Sequence, residues 1–292
     1  MTTANREQSQ HRLTVFDTAV DREALSTLRG GSLTPHLVML HPAGGTAGGL
    51  RRLVPAIETP RHVVAFEVFE PGPEHRCSVH AIAADYTAEL LAEYPSCGYD
   101  KPLCLIGWSF GGLLAIEMAG LLEAEGRNVG HVVLLDSGTP AALATRRGTQ
   151  SQNVAAMLRF PAHTVASNAT LEEVLERVAS QRSLGSLTRV TPLDLMPFVQ
   201  TYLWHVAAMR APWEPSDVCA TVTLVRAADE HGWGRDTPRD LGWPDLLGRE
   251  VPVLWTDGDH YGMTDDVHIP ALAHVLAEIL PLTASTGLPG TA

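Results

Sequence analysis

Short apolar runs alternate with longer amphipathic ones along most of this chain. His36-Leu37-Val38-Met39-Leu40 and His62-Val63-Val64-Ala65-Phe66-Glu67-Val68 read as buried strands. Pro102-Leu103-Cys104-Leu105-Ile106 and His131-Val132-Val133-Leu134-Leu135-Asp136 read the same way, and the second of these ends in a carboxylate. Between them lie helical patterns. Ser78 to Tyr94 puts Ile82, Tyr86, Leu90 and Leu91 on one face, with Ser78 as its cap. A second helical run, Leu113 to Ala119, follows the third strand. Strand and helix in alternation predict an α/β fold with a mostly parallel central sheet flanked by helices.

The pattern changes after Asp136. From Thr139 to about Pro215 no strand signal occurs, and three helical runs stand near 152–159, 171–181 and 193–210. Strand signals return at 220–226 and 251–256, and a last helix spans His268 to Leu280. Residues 1–12 are polar and read as unstructured, and Asp21 to Arg29 reads as a short helix stopped by Gly30-Gly31. The expected organisation is a partly disordered N-terminal extension (1–30), one core in two pieces (31–138 and 216–282), an inserted helical segment (139–215) and a mobile tail (283–292). Helices inserted between two strands of such a sheet are expected to form a lid over the site. The plainer alternative is a structural subdomain without a gating role.

The junction between the third strand and its helix carries the chemistry. Gly107-Trp108-Ser109-Phe110-Gly111-Gly112 sets a serine between glycines two before and two after it. This is the pattern of the nucleophile elbow of α/β-hydrolases, where a strained turn lifts the serine and the flanking chain passes too close for side chains. The following helix points its positive end at the serine. A serine nucleophile needs a base and a carboxylate to orient that base. Of 13 histidines, His260 in Asp257-Gly258-Asp259-His260-Tyr261-Gly262 is the candidate, on a loop after the last strand. Two acids compete: Asp136, at the end of the strand after the elbow helix, and Asp229, one strand later. Asp136 is favoured. Leu40-His41-Pro42-Ala43-Gly44-Gly45 follows an early strand, and the N–H groups of Ala43 and Phe110 are the expected oxyanion hole. A phosphate loop is the weaker reading of those glycines, since the G-x-x-x-x-G-K-[ST] pattern is absent.

Composition narrows the partners. The net charge of −12 argues against nucleic acid and anionic membrane, and no apolar run approaches the length of a membrane span. Cys77, Cys97, Cys104 and Cys219 form no metal-type spacing, so reduced thiols and no metal site are expected. With a polar N-terminus and no apolar signal core, the expected location is the cytoplasm.

Taken together, His41-Pro42-Ala43-Gly44-Gly45, Gly107 to Gly112, Leu134-Leu135-Asp136-Ser137, Asp240-Leu241-Gly242-Trp243 and Gly258-Asp259-His260-Tyr261 resemble the type I thioesterases of nonribosomal peptide and polyketide synthases. The resemblance runs from about residue 30 to residue 281. It implies an α/β-hydrolase fold and an acid at Asp136, after the strand that follows the elbow helix. It also implies release of an acyl chain from the phosphopantetheine arm of an acyl or peptidyl carrier protein through acyl-Ser109, with no other cofactor. Water would give an acid, and an internal hydroxyl or amine a macrocycle. Transfer to an external alcohol or amine, and a free-standing esterase, are the alternatives. Only about 30 residues precede the core, too few for a carrier domain, so a discrete enzyme acting in trans or an excised domain is expected. Trp108, Phe198, Tyr202 and Trp213 are expected to line the acyl pocket, with Leu203 and Trp204 offering further apolar surface. The pattern does not set an oligomeric state.

Overall fold

The computed structural model describes residues 10–16, 36–57, 63–70, 78–99, 101–183, 190–229, 233 and 237–280. Its strands are β1 (Gln10–Phe16), β2 (Leu37–Leu40), β3 (Val63–Glu70), β4 (Leu103–Trp108), β5 (Val129–Leu135), β6 (Thr221–Asp229) and β7 (Val253–Asp259). Helices α1 (Gly48–Leu53), α2 (Val79–Glu93) and α3 (Phe110–Ala124) fall among the first five strands. Helices α4 (Pro140–Leu143), α5 (Gln150–Met157), α6 (Leu171–Ser183) and α7 (Pro192–Arg210) separate β5 from β6. Two more, α8 (Trp243–Leu247) and α9 (Ile269–Ile279), flank β7.

The strands form one sheet in the order β1-β3-β2-β4-β5-β6-β7. β2 to β7 are parallel, and β1 pairs antiparallel with β3 at the edge. The β1 strand corrects the sequence reading, because its first residues fall in the stretch 1–12 taken as unstructured. Its pattern is too polar to announce a strand, and its place comes from antiparallel pairing with β3, from Phe16 on Val63 to Gln10 on Glu70. The helix expected at 21–29, the loop Gly30-Gly31 and the tail 283–292 lie outside the described residues.

Alternation within the strands explains the layers. Val38 and Leu40 pack with Tyr86 and Leu90 of α2 and Leu113 of α3 on one face of the sheet. Leu37 and Met39 pack with Leu50 of α1 and Leu272 of α9 on the other. Both faces are covered, so the strands read as continuous apolar runs. α2 starts where expected, its cap Ser78 accepting the N–H of Ala81 at 3.1 Å. α3 is buried on nearly every side, consistent with its almost wholly apolar sequence.

The chain order places the site. From β2 the sheet grows one way through β3, then returns to the other side of β2 and continues through β4 to β7. The loops after β2 and β4 therefore diverge at a switch point, where parallel sheets leave a crevice at the carboxyl ends of their strands. Residues 41–45, Ser109, Asp136 and His260 all stand at those ends. The inserted helices leave the sheet at the same end. Their exit is tied to α3: Glu117 accepts the indole N–H of Trp213 at 2.9 Å and both donors of Ser216, and Glu123 accepts the N–H groups of Cys219 and Ala220.

Candidate active site

The turn at Ser109 is built by exclusion. Ser109 has φ 56° and ψ −117°, a backbone conformation that L-residues avoid. Its N–H donates to the carbonyl of Leu135 at 2.9 Å, which fixes the turn to the neighbouring strand. A Cβ on Gly107 would stand 2.1 Å from the carbonyl oxygen of Gly111, and one on Gly111 would stand 2.3 Å from that of Leu40. Both obstacles are backbone, so only glycine fits. Ser109 itself is half-buried on the wall of a cavity. Its hydroxyl has no hydrogen-bond partner among the described residues.

His260 and Asp136 meet at the ends of β7 and β5. Nδ1–H of His260 donates to Oδ2 of Asp136 at 2.7 Å, and both side chains are buried. That bond leaves Nε2 unprotonated in the neutral ring, the atom a serine hydroxyl needs as acceptor. Asp229 stands exposed at the end of β6, in register with Asp259, and it is Asp136 that His260 bonds. Three further donors address Asp136: Nε of Arg226 at 3.1 Å, the indole of Trp233 at 3.3 Å and the N–H of Ala227 at 3.4 Å. Like Ser109, Asp136 has positive φ, here 41°. The loop after β7 and the elbow are linked directly, for the indole of Trp108 donates to the carbonyl of His260 at 3.1 Å.

Charge in this cluster is arranged to keep Asp136 ionised and His260 neutral. Burial alone would raise the Asp136 carboxyl. The hydrogen bond and charge of His260, followed by the charges of Arg226 and Arg146, outweigh it and hold the carboxyl well below its ordinary range. His260 is pushed down, first by burial and then by the charge of Arg146, against the opposing pull of Asp136 and Asp259. Arg226 explains part of the balance. Its buried guanidinium neutralises Asp136 from the other side and lies 5.1 Å from the ring centroid of Trp255. A buried arginine inside an apolar strand was itself a signal in the sequence, because such a charge needs a partner.

The loop after β2 is held from beneath by a stack of rings. Gly45 closes a turn by donating to Pro42 at 2.9 Å. Nδ1 of His205, on α7, donates to the carbonyl of Ala43 at 2.7 Å. The His205 ring stacks on Phe110 at 4.5 Å and on His41 at 5.1 Å between centroids. His41 bonds the Tyr86 hydroxyl through Nε2 at 2.7 Å. Burial, reinforced by Glu89 and Asp85, pushes that hydroxyl well up, so it remains a donor. Neither the Ala43 nor the Phe110 N–H donates to protein among the described residues. His205 was not found by sequence reasoning, since one histidine in an apolar helix carries no local mark of its carbonyl partner 162 positions away.

A cavity of about 380 Å³ lies against Ser109 and the loop after β2, with Asp136 and His260 behind its wall rather than on it. Its wall includes Ala43, Trp108 and Ser109 from the sheet side and Met157, Phe198, Tyr202 and Met209 from the inserted helices. Trp213 is elsewhere, bonded to Glu117 at the exit of the insertion, and corrects its expected place in the pocket. Leu203 and Trp204 are likewise not on this wall. Among the described residues no group of three His, Cys, Asp or Glu is placed to hold a metal ion, and no helix is long and apolar enough to cross a membrane.

Known proteins resemble this chain over most of its length. The family model described as Thioesterase domain matches residues 35–280. The thioesterase PytI of Aspergillus terreus is 31% identical over 146 residues, 46% of this chain and 46% of that protein. A non-reducing polyketide synthase, AtnG of Arthrinium, is 25% identical over 261 residues, 84% of this chain and 12% of the synthase. The chain thus spans less than half the length of either relative. Among solved structures, the NocB thioesterase domain in covalent complex with a fluorophosphonate nocardicin G analogue matches with a TM-score of 0.64. That match has 22% identity and covers 92% of this chain and 99% of that one. The surfactin-cyclising thioesterase domain matches with a TM-score of 0.56 at 17% identity, over 93% and 96% of the two chains.

Proposed function

The chain belongs to the thioesterase domain family, of the type found in nonribosomal peptide and polyketide synthases, and on that premise we propose that it releases an acyl or peptidyl chain from a carrier-protein thioester through an acyl-Ser109 intermediate. Ser109 Oγ attacks the thioester carbonyl while His260 Nε2 takes its proton. The oxyanion is held by the N–H groups of Ala43 and Phe110, which have no competing acceptor among the described residues. The C–S bond breaks, and His260 returns the proton to the leaving pantetheine sulfur. In the second half-reaction water attacks the acyl carbon while His260 takes its proton, the bond from that carbon to Ser109 Oγ breaks, and His260 returns the proton to Oγ as the acid is released. An internal hydroxyl or amine reaching the same position gives a ring instead. Asp136 holds the His260 tautomer and stabilises the imidazolium that forms in each half.

The observation that carries this reading is the 2.7 Å His260–Asp136 bond beside a cavity whose wall bears the strained Ser109. The helices of residues 139–215 form the opposite wall and act as its lid. Phe198 and Tyr202, with Trp108 at the base, contact the acyl chain. The partner is the carrier protein that presents the thioester. The test is intact mass after exposure to a panel of acyl-pantetheine thioesters, with Ser109→Ala alongside. An acyl adduct that requires Ser109 is expected, and Ser109→Ala is expected to lose turnover by 10⁴-fold or more, on the order seen for other triad serines. Turnover of oxygen esters alone, with no thioester adduct, would refute the reading.

A further inference from the structure

Four arginines stand on the wall of the cavity that holds Ser109: Arg52, Arg146, Arg159 and Arg182. One carboxylate, Asp265, shares that wall. In a chain with a net charge of −12 this local excess runs against the overall balance. Asp265 is already engaged, paired with Arg159 and 3.6 Å from Arg52. Arg52 also reaches Asp266 at 3.7 Å. Arg146 and Arg182 have no carboxylate within ion-pair distance among the described residues. Arg182 donates one N–H to the carbonyl of Leu158 at 2.9 Å, and the Arg146 guanidinium lies 5.0 Å from the ring centroid of Trp233. Both belong to the inserted helices and their connections, not to the sheet.

Arg146 shares the cavity wall with Ser109 and lies against Trp233, whose indole donates to Asp136. Its charge bears on both His260 and Asp136, and it opposes the imidazolium that forms whenever His260 takes a proton. A cation so placed hinders general-base catalysis in the empty enzyme. An anion resting against it removes the hindrance. We propose that Arg146 and Arg182 form an anion subsite for a carboxylate, or a like anionic group, carried by the acyl chain, so that the enzyme selects acidic acyl thioesters. The inference rests on the thioesterase reading above and names its substrate class. The planar guanidinium suits a carboxylate, which it can engage through two parallel hydrogen bonds. The other anion of a carrier-borne substrate, the pantetheine phosphate, lies a full pantetheine length from the sulfur. An anion on the wall that bears Ser109 therefore comes from the acyl side.

The experiment uses N-acetylcysteamine thioesters, which have neither phosphate nor carrier. Dicarboxylic half-thioesters of increasing length are compared with their methyl esters. The expected result is a preference in kcat/KM for the free carboxylate, roughly ten- to a hundredfold at the best length, the range of a charge-assisted hydrogen bond. Arg146→Gln and Arg182→Gln are expected to reduce that ratio towards one, and Arg146→Lys to keep most of it, with thermal melts confirming that each variant is folded. The ratio of paired substrates is read because Arg146 also affects His260, and that effect is common to both. Equal use of acid and ester by the parent enzyme overturns the subsite while leaving the thioesterase reading intact. So does a preference that survives both glutamine variants. Variants that slow only carrier-borne substrates, whatever their acyl charge, assign the arginines to the phosphate or the carrier and also overturn it. Failure to turn over any thioester, acidic or neutral, or to form an acyl adduct on Ser109 refutes the thioesterase reading itself.

Discussion

Two regions face each other across the cavity and are held in different ways. On the sheet side, the turns at Ser109 and Asp136 are fixed by backbone against backbone: Ser109 N–H on Leu135, Asp136 N–H on Val225, and Gly111 against the carbonyl of Leu40. On the side of residues 139–215, side chains do the fixing. Thr149 and Gln152 cap α5, Thr191 and Asp194 cap α7, and Glu117 holds Trp213 and Ser216 at the exit. A backbone lock tolerates no added carbon, whereas a side-chain lock leaves the groups lining the cavity exchangeable. On the proposed reading this separates the reaction from the choice of substrate: the sheet side carries the proposed nucleophile and base, and the insertion carries Phe198, Tyr202, Arg146 and Arg182.

The comparison breaks most severely at the acid. Asp136→Asn is expected to lower kcat by about 10³- to 10⁴-fold, because His260 is left with the wrong tautomer and no counter-charge. Asp229→Asn, at an exposed position outside the His260–Asp136 bond, is expected to change kcat by less than about threefold. Steady-state kinetics on one thioester separates them, and the reverse order would transfer the acid role to Asp229.

Next is the backbone lock. Gly111→Ala puts a methyl 2.3 Å from the Leu40 carbonyl and is expected to destabilise the fold by about 3 kcal/mol or more, read by urea unfolding. Gly126→Ala is the control for positive φ without crowding, since nothing lies within 4 Å of its added Cβ, and an effect nearer 1 kcal/mol is expected. Equal losses at the two positions would mean that crowding does not hold the elbow.

Among the contacts between the regions, one bears on the loop after β2. His205 reaches from α7 to the Ala43 carbonyl, so the insertion also steadies the loop that carries the proposed oxyanion donor. His205→Phe keeps the stack on Phe110 and removes the donor. A roughly tenfold fall in kcat with little change in KM is expected, smaller than the direct loss of an oxyanion donor. A change confined to KM would make His205 a packing residue only.

The smallest effect is on pH. His260 lies below the ordinary histidine value of 6.5, pushed there by burial and Arg146 against Asp136 and Asp259. A base must be neutral to act, so kcat/KM on a neutral thioester should be lost only as pH falls below 6.5. Removing the Arg146 charge relieves the opposition to the imidazolium, so Arg146→Gln should move that acid limb upward. A limb that stays in place would show that burial alone sets it. The same sign holds for stability. A histidine kept neutral in the fold contributes stability above 6.5 that is lost as pH falls through its lowered value.

Much of this was legible in the chain because the determinants are local. Glycines two before and two after Ser109 report a close passage that the turn itself creates. Ser78 reports a helix start, and the apolar runs report strands covered on both faces. His260 and Asp136 could be named because each stands directly after a strand pattern. The resemblance to a thioesterase family favoured Asp136, whereas local pattern alone left Asp229 in play. Trp213 was misplaced for the converse reason. Its aromatic character announced burial, but the partner that buries it, Glu117, lies 96 positions away.

By itself the sequence determined the alternation of strands and helices, the site of the elbow and the kinds of residue that carry the chemistry, since propensity, periodicity and turn sterics act over a few residues. Only the tertiary structure decided that Arg226 and Trp233 brace Asp136, that His205 holds Ala43, that β1 pairs at the sheet edge and that Arg146 shares a cavity wall with Ser109. Those relations join residues up to 162 positions apart, or strands paired out of chain order. They depend on the order of the strands and the register of each pair, which are fixed by the packing of the whole core.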